Sequence, residues 1–312
     1  MRALMAADLK IGTRGSKLAL WQANWVKAGL EKGHPGLAVE LVTIKTKGDK
    51  ILDVPLAKVG GKGLFVKEIE KALLDGRIDL AVHSMKDMPG DIPPGLCIGP
   101  VPKRELPLDV LISAGGDNLA DLKQGASIGT SSLRRSAQLK HLRPDLQIAG
   151  LRGNLDTRLR KLDEGQMDAI VLAAAGIHRL GLEDRVTEYL DPDDMLPAVA
   201  QGALCIEIRE SDPETDRLVS ILNHPDTRTV VLGERAFLRR LEGSCQIPVA
   251  GHGTLENGNF SIRGLVANLE GTQVIQATAS GAGQRAREVG IELAEELLAN
   301  GADRILKELT TG

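Results

Sequence analysis

At 312 residues and 33.3 kDa the chain exceeds one comfortable hydrophobic core and predicts two or three domains, and its 42% apolar and 26% charged residues exclude a disordered protein. A net charge of −3 with only 2% aromatics argues against a generally basic nucleic-acid binder that stacks bases on aromatic side chains. No uncharged apolar run approaches bilayer length, and the opening MRALMAADLKIG lacks a signal peptide's apolar stretch, so no membrane association and a cytoplasmic location are expected.

LKIGTRG reads as a short strand and turn, with Ser16 as N-cap of a helix that carries Leu18, Trp21, Trp25 and Ala28 on one face and closes at Gly33 and Pro35. AVELVTIKT continues as a strand, which makes a βαβ unit with parallel pairing. Residues 47–63 hold four glycines and no sustained period, the pattern of a long mobile loop, and a helix follows over 64–75. RIDLAVHS is the next strand. Beyond the proline-rich Pro89–Pro102 a second alternation runs from about 108 to 190, with strands at DVLIS, SIGT, LQIAG and DAIVLA and helices starting near Ser131, Asn154 and Ala174. VAQGALCIEIR reads as one more strand and NHPDTRTVVLGERAFLRRLEG as an amphipathic helix. Alternating IPVAGHGTL, NFSIRGLVA and QVIQATAS, then a helix over about 284–300, suggest a small α+β domain with an antiparallel sheet. No internal sequence repeat is evident.

Three scattered cysteines, none in a C-x-x-C pair, give neither a disulfide framework nor a zinc site, and no metal is expected. Cys97 and Cys205 sit in apolar strand-like runs, as small buried side chains do. Cys245, in LEGSCQIPVAG, sits in a predicted loop with Arg239 and Arg240 upstream, where a structural thiol and a reactive one fit equally well. Lys123–Lys161 carries nine basic residues against Asp145 and Asp156, a local +7 that points to an anionic ligand. Lys140, Arg143, Arg160 and Lys161 read as a solvated face. Arg134 and Arg135 in GTSSLRR, Arg152 in LRGN, Arg158 one turn into the next helix and Arg179 after DAIVLA follow strand-to-helix junctions, where α/β sheets bind ligands. Arginine forks suit carboxylates. Lys86 and Asp87, after IDLAV, and Arg14 with Ser16, after the first strand, occupy matching junctions. Leu56 stands where a phosphate-binding loop ending at Lys62 needs its first glycine, so that motif is rejected.

TRGSKLALWQA, LAKVGGKGLFVKEIE, AVHSMKDMP, GTSSLRRSAQL, LRGNLDTRL, LPAVAQGAL and LEGSCQIPVAG, in this order and spacing, resemble the porphobilinogen deaminase (hydroxymethylbilane synthase) family from about residue 10 to 251. The resemblance implies an α/β fold of two periplasmic-binding-protein-like domains, residues 1–101 with 200–220 and 102–199, plus a small α+β domain over 221–312. It also implies a transferase of tetrapyrrole biosynthesis that deaminates four porphobilinogen molecules and joins them head to tail on a dipyrromethane cofactor, then releases hydroxymethylbilane. Cys245 would anchor the cofactor through a thioether and Asp87 would be catalytic, hydrogen-bonding pyrrole N–H groups. Lys86, Asp87, Ser132, Arg134, Arg135 and Arg158 would bind the cofactor, and Arg14, Ser16, Arg152, Arg158 and Arg179 the substrate. Lys58, Lys62 and Phe65 would act from the loop, and the protein would be a monomer. The competing reading is a two-lobed polycarboxylate-binding protein without catalysis.

Overall fold

A computed structural model describes residues 9–50, 63, 66–241 and 247–311. The chain divides into two compact units, Met1–Arg104 with Ala203–Arg228, and Glu105–Gly202 with Thr229–Gly312. In chain order the first unit holds β1 (Leu9–Thr13), α1 (Lys17–Gly33), β2 (Val39–Thr43), α2 (Lys47–Lys50), α3 (Lys67–Leu74), β3 (Leu80–Ser84) and β4 (Leu96–Ile98). The second holds β5 (Asp109–Ser113), β6 (Ser127–Gly129), α4 (Leu133–Leu142), β7 (Gln147–Ala149), α5 (Leu155–Asp163), β8 (Ala169–Ala173), α6 (Ala174–Arg179) and β9 (Glu188–Tyr189). β10 (Leu204–Arg209) and α7 (Pro213–Val219) return to the first unit, and α8 (Pro225–Arg240) leads out of it. β11 (Val249–Glu256), β12 (Asn259–Ala267), β13 (Val274–Ala282), α9 (Ala286–Leu297) and α10 (Asp303–Thr311) complete the second unit.

The first sheet has the order β2-β1-β3-β10-β4, with β1 parallel to β2 and β3, and β10 antiparallel to β3 and β4. The sheet of the second unit has the order β7-β6-β8-β5-β9, with β6 parallel to β7 and β8, and β5 antiparallel to β8 and β9. The two orders are the same topology. In each, the antiparallel fourth strand follows directly on the chain's entry from the other unit. Ile11, Gly12 and Thr13 close β1, while Ile128 and Gly129 close β6 and Thr130 follows it; Ser16 then caps α1 and Ser132 caps α4. This is an architectural repeat that the sequence concealed. β11-β12-β13 form an antiparallel sheet covered by α9, so the fold is α/β twice over with a small α+β part, as expected.

Local chemistry accounts for these elements. The Ser16 side chain accepts from the Ala19 amide at 3.3 Å, a cap of the kind that contributes about 1 kcal/mol. α1 buries Gln22, Ala23, Val26 and Leu30 against a core that includes Leu80, Val82 and Ile206, at about 1.5–3 kcal/mol for each large side chain. The predicted face was rotated: Trp25 is 40% exposed, and the stripe admits a polar residue because Gln22 donates to Ser84 Oγ at 2.9 Å. The strand-like run around Cys97 is β4, paired at the sheet edge with β10, while the predicted loop over 47–63 is corrected at its start, which is the helical turn α2.

Candidate functional site

Two strand ends of the first unit meet at one pocket, lined by Arg14 and Ser16 after β1, by His83, Ser84 and Asp87 at the end of β3, and by Gln22, Val66 and Val82 among others. Asp87 gets there through the 3-10 turn Met85–Asp87. The turn is pinned at both sides: the Met85 amide donates to Ala203 of the returning segment at 2.9 Å, and the Met88 amide to Met85 at 3.1 Å. Met85 and Met88 are buried as anchors, which leaves Lys86 half-buried and Asp87 exposed between them. Open α/β sheets bind ligands at such carboxyl ends. A carboxylate in a pocket that also holds a guanidinium and two hydroxyls can accept N–H groups and oppose a positive charge while its neighbours hold an anion.

The junctions of the second unit are more heavily committed than their sequence suggested. Arg134 and Arg135 are each 5% exposed and both lie on Asp109, at 2.7 Å each, and Asp109 has no exposed surface. Arg135 also donates to the Val171 carbonyl at 2.9 Å, and Arg134 to the Leu196 carbonyl at 2.7 Å. Burial pulls the Arg134 guanidinium below its ordinary range while Asp109 opposes that shift. Two guanidiniums against one carboxylate leave a positive charge in excess beside the N-terminus of α4, where free amides add to it. Ser132 caps that helix by accepting from the Arg135 amide at 3.5 Å, and Ser131 accepts from Leu151 at 3.0 Å, tying the two junctions together. Arg152 and Arg158 are half-buried, and Arg158 Nε donates to the Gly153 carbonyl at 2.9 Å. Arg179 is buried, donates to the Gly202 carbonyl at 2.7 Å and is pulled down to about 10 by burial, against the charge of Glu105.

Arg14, Ser16 and Asp87 therefore share a pocket, while Ser132, Arg134, Arg135, Arg152, Arg158 and Arg179 belong to the second unit. Lys58, Lys62, Phe65 and Cys245 lie outside the described residues. Sequence reasoning missed Asp109, the acceptor that holds two arginines, and His83 with Glu207 and Glu70 behind the pocket. A charged residue inside an apolar strand, as in LCIEIR and in AVHS, was the available signal.

Residues 9–217 match the family model described as "Porphobilinogen deaminase, dipyromethane cofactor binding domain", and residues 229–299 match "Porphobilinogen deaminase, C-terminal domain". The chain belongs to the porphobilinogen deaminase family. Similar members are the porphobilinogen deaminases of Syntrophotalea carbinolica, 58% identical over 98% of this chain and 97% of that one, and of Syntrophobacter fumaroxidans, 56% identical over 96% and 97%. That of Geobacter metallireducens is 56% identical over 97% of this chain and 95% of its own. Among solved structures, the probable amino-acid ABC transporter extracellular-binding protein ytmK from Bacillus subtilis superimposes with a TM-score of 0.43 at 12% identity, covering 69% of this chain and 90% of that one.

The family's cofactor is a pair of pyrroles, rings whose N–H groups need acceptors and whose acidic side chains need cations. The residues present fit such a group: Asp87 supplies acceptor oxygens beside Arg14, and the second unit keeps uncompensated guanidinium charge at Asp109. Among the described residues no helix is long and apolar enough to cross a membrane, and no group of three or more His, Cys, Asp or Glu could hold a metal ion.

Proposed function

We propose that this chain is a transferase of tetrapyrrole biosynthesis that deaminates porphobilinogen, joins four units head to tail on a dipyrromethane primer carried by Cys245, and hydrolyses the product to release hydroxymethylbilane. The observation that carries the reading is the pocket that Asp87 shares with Arg14 and Ser16 at the ends of two strands, in a chain of this family. When bound, the primer supplies the pyrrole carbon on which the chain is extended.

Loss of ammonia from porphobilinogen leaves a cation delocalised over the ring nitrogen and methylene. Asp87 accepts the ring N–H and sets a negative charge against that cation, the type of contribution that is largest when the group is pre-organised. The pinned turn supplies the pre-organisation. Arg14, Ser16, Arg152, Arg158 and Arg179 hold the acetate and propionate groups of incoming rings, and Lys86, Ser132 and Arg158 those of the primer. Arg134 and Arg135, held on Asp109, act through their excess charge. Lys58, Lys62 and Phe65 act from their loop. The same reading divides the chain into residues 1–101 with 200–220, 102–199 and 221–312, and makes it a cytoplasmic monomer that binds no nucleic acid. A polycarboxylate receptor without chemistry has no use for a loaded thiol.

Replacement of Asp87 by asparagine keeps the shape and removes the charge. Asp87→Asn protein should retain its fold and primer mass while ammonia release from porphobilinogen falls about 10²–10³-fold. Turnover near that of the parent would remove Asp87 from this role.

A further inference from the structure

Behind the pocket the first unit buries three titratable side chains that the chemistry above leaves unused. His83 lines the pocket with Asp87 yet is only 6% exposed. Its Nε2 lies 3.1 Å from Oε2 of Glu207 on β10, which has no exposed surface. Glu70 on α3 is buried on the same side, close enough for the charges of Glu207 and His83 to act on it. Oε1 of Glu70 and Oε1 of Glu207 have no hydrogen-bond partner among the described residues. Burial first, then the charge of Glu207, pushes Glu70 up to about 7. Lys67 on α3 acts on Glu70 from the other side, Glu68 of that helix buries one oxygen, Cys205 is the register partner of His83, and Arg14 and Asp87 line the pocket wall. Apolar side chains of similar volume would be cheaper in this place.

We infer that His83, oriented by Glu207 with Glu70 behind it, is the proton acceptor of each condensation. The inference rests on the porphobilinogen reading. In each addition the C–N bond of the protonated aminomethyl group breaks and ammonia leaves with the bonding pair. The free ring carbon of the growing chain's last pyrrole then attacks the methylene, and the new C–C bond leaves that carbon cationic and still carrying hydrogen. Aromaticity returns when the C–H pair falls back into the ring and the proton passes to Nδ1 of His83, which hands it to ammonia; ammonium departs and the imidazole is regenerated. Glu207 accepts from Nε2–H, so the lone pair is left on Nδ1, for which the described residues offer no hydrogen bond. Asp87 is occupied at the ring nitrogen.

The test compares parent holoenzyme with His83→Gln and Glu207→Gln, using porphobilinogen with hydrogen or deuterium on its unsubstituted ring carbon. His83→Gln should lose about 10²-fold in kcat with little change in KM. Its turnover should slow further with the deuterated substrate, by a larger factor than the parent's, because C–H cleavage becomes limiting. Glu207→Gln offers a second variant of equal volume: in substrate-free protein, ¹⁵N shifts of the His83 ring should move from a single Nε2–H tautomer to a mixture. Isotope effect and kcat of His83→Gln within about twofold of an active parent, or a tautomer unmoved by Glu207→Gln, would overturn the role of His83 alone. A parent that leaves porphobilinogen unchanged would overturn the activity and this inference with it.

Discussion

Asp109 shows how much a single buried side chain decides. It takes Arg134, Arg135 and the amide of Gln201 at 2.7–2.9 Å, joining the start of β5 to α4 and to the segment before β10. Removing one partner of a buried ion pair leaves the others uncompensated, so Asp109→Ala should lower the unfolding free energy by about 3–5 kcal/mol in urea titrations. A loss below about 1 kcal/mol would mean that the arginines find other acceptors. Glu70 gives a pH-dependent prediction. Its carboxyl, held up at about 7 in the fold, is stabilising in its protonated state; that contribution is complete below the ordinary 4.5 and is lost as pH rises through 7. Glu70→Gln should therefore stabilise the protein by about 1–2 kcal/mol at pH 8 and leave it unchanged near pH 4.5. Equal effects at both pH values would show that burial of the charge is not what moves this group. At this scale the positions of Arg14 and Asp87 were legible because both follow strand ends, and the two do line one pocket. Asp109 was not, since its partners lie from about 25 residues away, on α4, to 92 residues away, at Gln201, and a lone aspartate at a strand's start carries no periodic signal.

Elements were legible where one force dominated. Ser16 and Asn154 announce caps, and the apolar runs at IDLAV and DAIVLA became the central strands β3 and β8. α1 was placed correctly in its ends but not in its face, because Ala23, Val26 and Leu30 form a second apolar set at i, i+3 and i+7 that is the one buried. Close helix packing was likewise invisible. A Cβ added at Gly290 of α9 would stand 2.2 Å from the Gly233 carbonyl of α8, backbone that cannot swing aside as a side chain does. Gly290→Ala should cost about 2–3 kcal/mol and lower Tm by several degrees in calorimetry. A Tm equal to the parent's would mean that the two helices separate at no cost.

For the whole molecule, the alternation of strands and helices foretold two α/β parts and a small α+β part, and motif order supplied the family. Topology was less accessible to periodicity: the return of β10 to the first sheet, a pairing over more than a hundred residues that joins His83 and Cys205, was implied by the family resemblance alone, and the matching strand orders of the two sheets share little beyond Ile-Gly-Thr. An architecture repeated in this way places two sets of strand ends in one chain, one carrying Asp87 and the other the arginines.

The central claim is a covalent primer, and it can be weighed. The intact mass of protein produced with porphobilinogen available, beside a Cys245→Ser variant and with peptide mapping, should show an excess of two porphobilinogen units less two ammonia on Cys245, missing from the variant. An unmodified Cys245 under those conditions would contradict the account and return the protein to the class of carboxylate receptors.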